Sequence, residues 1–231
     1  MTRDRARRPR YGSSVDLVTA TRGPAAPSEH RPLLVMLHGV GADEHDLLPL
    51  AAHLDPRLLV VSVRAPREYP VMGYSWFDID WSTVPPRYDL AQAEESRAAL
   101  VSLLPALAKE HGTDPARTFL LGFSQGAAMA LATALTRPDL VRGLVVHSGR
   151  LFPDLRERAA PVAALARLDA LVLHGVDDPV IPVERGQEIR AFLEPLLGNR
   201  LAYAEHDAGH EVTPSSLEDV AAWLKARLAE K

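Results

Sequence analysis

The chain has 231 residues, 47 % apolar and 24 % charged, with a formal net charge of −4. These values suit one globular domain with a single core and give no electrostatic reason to expect nucleic acid or an anionic membrane as a partner. The absence of cysteine excludes disulfides, thiolate metal sites and a cysteine nucleophile together.

The N-terminal stretch carries Arg3, Arg5, Arg7, Arg8 and Arg10, but no apolar run follows them. It therefore makes neither a secretory nor a twin-arginine signal, and residues 1–12 read as a solvated basic tail. No stretch reaches transmembrane length. Residues 13–231 are expected to form a single cytoplasmic domain without stable membrane association, as a monomer or homodimer.

Residues 13–19 read as an edge strand, followed by a Pro- and Gly-rich turn over 22–27. Apolar strand-like runs then recur at 33–37, 58–63, 118–121, 144–147, 171–174 and 201–204. Near-continuous apolar runs of this length suit a parallel sheet covered on both faces. Asp89 with Gln92 three residues on resembles a capping box, opening a helix that runs to about His111 before Gly112. Pro105 is expected to kink or split it near Leu104. Thr213 and Pro214 form an N-cap with a first-turn proline, and Leu217, Val220, Ala221, Leu224 and Leu228 then make one apolar stripe. The alternation predicts a mostly parallel, doubly wound α/β sheet with helices on both faces.

Within that pattern, Gly122-Phe123-Ser124-Gln125-Gly126 stands between a strand-like run and a run of strong helix formers. A Gly-x-Ser-x-Gly stretch on a strand-to-helix turn is a nucleophile elbow, which lifts the serine hydroxyl clear of the sheet edge. Such a serine needs an acid and a base, and on this topology they follow it in that order. The acid is Asp177 or Asp178, in the loop after 171–174, which loop position alone does not order. The base is His210 or His206; His210 sits behind the flexible Gly209, whereas His206 directly follows its strand. The i, i+4 spacing of the two histidines would suit a metal on a helix, but Gly209 and the loop context argue against one. The oxyanion hole needs two backbone N–H groups, one from Gln125 and one from Val40 in His38-Gly39-Val40-Gly41.

These pieces resemble the phospholipase/carboxylesterase family of α/β-hydrolases, which includes acyl-protein thioesterases and small bacterial carboxylesterases. The matching stretches are Leu37-His38-Gly39-Val40-Gly41, Trp76-Phe77-Asp78, the elbow, His174-Gly175 with Asp178-Pro179-Val180-Ile181-Pro182, and Gly209-His210. They occur in family order over residues 33–228. The resemblance implies the α/β-hydrolase fold with a minimal cap, a Ser124–Asp178–His210 triad, and the Val40 and Gln125 N–H groups as oxyanion hole. It settles Asp178 over Asp177, because the family's acid precedes the proline. It also implies a small-molecule ester substrate and no metal or cofactor.

One departure bears on substrate. Acyl-protein thioesterases carry Ser-Cys-Trp-Leu where this chain has Ser148-Gly149-Arg150-Leu151. A charged Arg150 in place of an acyl-lining tryptophan points away from long acyl chains. The adjoining His147 reads as a hydrogen-bonded strand-end histidine. Trp76, Phe77, Arg150 and Val180 are the candidate substrate contacts. The segment 66–87, with five aromatic residues, either caps the site or packs its rings onto the sheet's edge. The expected activity is short- to medium-chain carboxylic-ester hydrolysis through an acyl-enzyme. Thioester or lysophospholipid hydrolysis by the same triad is the alternative. A dienelactone hydrolase would ordinarily use a cysteine, and a non-catalytic hydrolase-fold binding protein would typically lack a triad member.

Overall fold

The apolar runs become strands buried on both faces, except 201–204, which becomes a half-buried edge strand, and their order in the sheet decides where a site can form. The computed structural model describes residues 17–23 and 31–229. In chain order, β1 (Thr19–Arg22), β2 (Arg31–Leu37) and β3 (Leu59–Val63) come first. Four two-residue strands follow: β4 (Arg67–Glu68), β5 (Tyr74–Ser75), β6 (Ile79–Asp80) and β7 (Arg87–Tyr88). Then come α1 (Leu90–His111), β8 (Thr113–Phe123), α2 (Gln125–Thr136), β9 (Gly143–His147) and α3 (Leu155–Arg158). The chain closes with β10 (Asp169–Gly175), α4 (Glu184–Leu197), β11 (Leu201–His206) and α5 (Pro214–Ala229).

The main sheet has the order β1-β3-β2-β8-β9-β10-β11. Its first pair is antiparallel and every other pair parallel. Alternate side chains of β2 serve the two faces. Leu33, Val35 and Leu37 enter one core with α1, α2 and α4, while Leu34 and Met36 enter the other with α5. From β2 the chain moves outward to β3, then returns to the opposite side of β2 as β8. The loops leaving β2 and β8 therefore part in opposite directions. An open α/β sheet has its ligand crevice at such a switch point.

Several expectations change in detail. Of 13–19 only Thr19 lies in β1, while residues 13–16, 24–27 and the basic tail 1–12 lie outside the described residues. Strand β8 begins at Thr113, earlier than expected, because Thr113 pairs with Arg31 before a register shift. Asp89 does cap α1, accepting from Gln92 N–H at 2.9 Å. The reciprocal half of the capping box is missing, because the Gln92 amide bonds Asp78 instead. Pro105 does not split α1. It lies exposed, so the Val101 carbonyl that loses its helical partner is on the solvent side. At α5, Thr213 Oγ1 accepts from Ser216 N–H and Ser216 Oγ from Thr213 N–H, closing both orphan donors. Burial of Val220, Leu224 and Leu228, worth roughly 1.5–3 kcal/mol each, then anchors the helix and with it the loop that precedes it. Among the described residues no helix is long and apolar enough to cross a membrane.

Candidate active site

Ser124 follows β8 at φ 55° and ψ −117°, a positive-φ conformation that costs a non-glycine residue roughly 1–3 kcal/mol. Its surroundings impose it. A Cβ on Gly126 would overlap the Leu37 carbonyl, and one on Gly122 would overlap the Gly126 backbone. The two glycines thus let α2 leave β8 in contact with β2, and Ser124 is the residue forced out of line. Its N–H donates to His147 O at 3.0 Å, tying the turn to β9.

The hydroxyl meets a base and then an acid. Ser124 Oγ is 2.9 Å from His210 Nε2, and His210 Nδ1 is 2.7 Å from Asp178 Oδ2. With Asp178 ionised, Nδ1 carries the proton and Nε2 is left to accept from the serine. The other carboxylate oxygen accepts from Val180 and Ile181 N–H, at 2.9 and 2.8 Å. Burial pushes the Asp178 carboxyl up, but the His210 bond and these two amides outweigh it and hold it below the usual carboxylate range. Gly175 lets the loops meet, since a Cβ there would overlap the Ala208 and Gly209 carbonyls. Asp177 is exposed, its N–H bonded to Ala208 O at 3.0 Å. His206 turns to α5 instead, with Nε2 3.2 Å from Asp219. Among the described residues no group of three His, Asp or Glu side chains could hold a metal ion.

The loop after β2 runs against the serine, so that a Cβ on Gly39 would stand 3.2 Å from Ser124 Cβ. Neither Val40 N–H nor Gln125 N–H finds an acceptor among the described residues. Side chains that sequence reasoning missed hold this loop. Ala65 N–H donates to His38 Nε2 at 2.9 Å, which leaves the proton on Nδ1, bonded to Gly39 O at 2.7 Å. Burial lowers the His38 pKa, against the Gly39 bond that raises it, and so favours the neutral ring. Trp76 Nε1–H donates to His38 O. Beyond Gly41, the buried Glu44 takes two bonds from Arg64, at 2.5 and 2.6 Å, and Arg64 also reaches Tyr74 OH. A buried carboxylate needs a cation. The burial of Glu44 was not visible in the polar run Asp43-Glu44-His45-Asp46.

The expected substrate contacts divide. Trp76 and Phe77 are 0 % and 1 % exposed and belong to the core, so they offer a ligand no surface. The cause is Gln125, whose side chain accepts from Trp76 N–H and donates to Phe77 O, both at 2.7 Å, drawing the strap 66–88 down onto the elbow. Val180 is exposed beside Asp178. Arg150 is half-buried, its guanidinium 4.6 Å from the centre of the Tyr88 ring. His147 lies buried next to the elbow, bonded to Ser216 Oγ at 2.9 Å and facing Ser148 Oγ at 3.2 Å.

A family model described as phospholipase/carboxylesterase matches residues 24–228. Acyl-protein thioesterase 1 of Gibberella zeae is 29 % identical over 89 % of this chain and 94 % of its own length. Esterase YpfH of Escherichia coli K12 is 27 % identical over 85 % of this chain and 82 % of its own. The crystal structure of esterase PE8 superposes with a TM-score of 0.75 at 29 % identity, covering 89 % of this chain and 96 % of that one.

Proposed function

The chain belongs to the phospholipase/carboxylesterase family and is a serine hydrolase of carboxylic esters; from that premise we propose that Ser124, His210 and Asp178 are its catalytic triad. Ser124 Oγ attacks the ester carbonyl while His210 Nε2 takes the hydroxyl proton. The carbonyl oxygen becomes an oxyanion held by the Val40 and Gln125 N–H groups. As the intermediate collapses, the bond to the alcohol oxygen breaks and His210 returns the proton to that oxygen. Water then attacks the acyl-enzyme, again losing its proton to His210, and the acid leaves as Ser124 recovers its hydrogen. Asp178 keeps Nδ1 protonated and stabilises the imidazolium in both halves.

One observation carries this reading: the continuous bonding from Ser124 Oγ to His210 Nε2, at 2.9 Å, and from His210 Nδ1 to Asp178 Oδ2, at 2.7 Å. A fluorophosphonate probe tests it. Label should map to Ser124 by mass spectrometry, and Ser124→Ala should abolish it with ester hydrolysis, a loss on the order of 10⁴- to 10⁶-fold. Labelling that persists on another serine would refute the assignment. Thioester hydrolysis needs the same machinery and is the second reading, favoured by the likeness to an acyl-protein thioesterase.

A further inference from the structure

Among the described residues Arg150 has no anion or carbonyl to bond, unlike the half-buried Arg64, Arg97, Arg142 and Arg200. Arg64 pairs with Glu44, Arg97 with Glu94 and Arg142 with Asp169, while Arg200 bonds main-chain carbonyls. Among the described residues, Arg150 has neither an ion pair nor a hydrogen bond, only the face of Tyr88. A guanidinium removed from water and left unpaired is costly, and an aromatic face offsets only part of the loss. Burial, and then the neighbouring Arg185, disfavour its charge. Glu188 acts on it in the opposite sense but is itself bonded to Arg185 at 2.6 Å.

Its place in the fold puts this side chain at the edge of the sheet that carries the triad. Arg150 lies three residues beyond His147, whose carbonyl accepts from Ser124 N–H at 3.0 Å. The loop between them presses on the elbow helix, since a Cβ on Gly149 would stand 2.8 Å from Ala127 Cβ. The guanidinium spans from this loop to Tyr88, whose ring meets Phe77, and the Phe77 carbonyl is bonded by the Gln125 side chain. Arg150 therefore stands at the carboxyl edge of the sheet, on the same side as Ser124, Asp178 and His210.

We infer that Arg150 is an anion-recognition residue of the substrate site, and that this hydrolase takes esters carrying a carboxylate a few bonds from the scissile carbonyl. A guanidinium fork bonds a carboxylate through two parallel N–H donors, which supplies the partner the protein withholds. The inference rests on the ester-hydrolase reading above and adds the charge of the substrate. The chemistry is the same whether the carboxylate belongs to the acyl part or to the alcohol part.

Three substrates decide it: p-nitrophenyl butyrate, which is neutral, the p-nitrophenyl hemiester of glutaric acid, and the acetyl ester of 3-hydroxybutyrate. Each is measured with wild type, Arg150→Gln and Arg150→Lys. Arg150→Gln should lower the ratio of kcat/KM for an acidic ester to that for the butyrate by about 10- to 100-fold, as expected for a lost charged hydrogen bond. Arg150→Lys should recover part of that ratio, and added salt should reduce the wild-type ratio. Loss on the hemiester places the carboxylate on the acyl side, and loss on the acetyl ester places it on the alcohol side. If both ratios stay constant across the three proteins, the inference is overturned while butyrate hydrolysis still supports the ester-hydrolase reading. If wild type cleaves none of the three, both readings are overturned.

Discussion

His38 Nδ1 and the carbonyl oxygen of Gly39 are 2.7 Å apart, and that bond fixes the direction of the next amide. The Gly39–Val40 peptide is planar and trans, so its N–H points opposite to its C=O. Holding the carbonyl toward the buried imidazole turns Val40 N–H the other way. Replacing His38 with Leu removes both the hold and the acceptor for Ala65 N–H. The expected result is a kcat lowered about 10²-fold or more, as for loss of one oxyanion donor, with KM much less changed. Stability should fall by roughly 1–3 kcal/mol, from the stranded Ala65 donor. Steady-state kinetics and urea denaturation of the variant separate the two effects; an unchanged kcat would mean that the peptide keeps its orientation without His38.

The acid loop gives a sharper contrast. Asp178 is buried and receives three hydrogen bonds, whereas Asp177 next to it is exposed. Asp178→Asn should lower kcat by roughly 10³-fold or more, because an amide in that place favours the wrong imidazole tautomer. Asp177→Asn should change kcat little. Measuring both under saturating ester checks the pair, and equal losses would discredit the proposed acid.

His147 makes a pH prediction. Burial, reinforced by the His174, His206 and His210 rings, pushes its pKa from 6.5 down to about 3. A histidine whose folded pKa is depressed binds its proton more readily in the unfolded chain. Its contribution to stability is therefore full above the unfolded value and is lost as pH falls from 6.5 toward about 3. Asp178, lowered by its bonds in the fold, acts in the same direction at the acid end. Urea midpoints for wild type should fall across this window, and His147→Gln should flatten the slope while lowering the plateau at neutral pH. Equal slopes for the two proteins would show that His147 does not drive the acid loss.

The strand-like runs and the strand-to-helix turn at Ser124 were legible because each rests on local pattern. The choice of Asp178 over Asp177 came from the family resemblance, and the order of strands in the sheet rests on pairings that local pattern does not carry. The short apolar runs of β2, β9 and β10 suit strands buried on both faces, and Ser124, Asp178 and His210 each lie beyond the end of a strand-like run, that of His210 being the partly exposed β11. The first residues of β8 were not legible, since Asp114, Pro115 and Ala116 carry no apolar signal and pairing comes from the contact between Thr113 and Arg31. From sequence Trp76 and Phe77 read as substrate contacts, since aromatic residues in a long connection suit a cap as well as packing onto the sheet's edge, and the structure puts them in the core. What decides is the Gln125 side chain, some fifty residues away in sequence, bonding to both. The same holds for Glu44, which reads as one more charge in a polar loop until Arg64 is seen to enclose it.

Acyl length remains the most accessible readout of the site's shape. Arg150 is half-buried on Tyr88 and keeps a charge that an alkyl chain cannot match. Among neutral esters the gain per methylene, about 0.8 kcal/mol where an apolar wall continues, should therefore end early. We expect an optimum at about two to six carbons for the wild type, before each further methylene meets a guanidinium instead of hydrocarbon. Arg150→Trp substitutes an apolar ring for that charge and should move the optimum to longer chains, with kcat/KM for the longer esters raised and that for acetate little altered. A series of p-nitrophenyl esters from acetate to palmitate, run on both proteins below the solubility limit of each ester, reads this directly. An optimum at about eight carbons or beyond in the wild type would mean that the acyl chain runs along a wall other than the one Arg150 occupies.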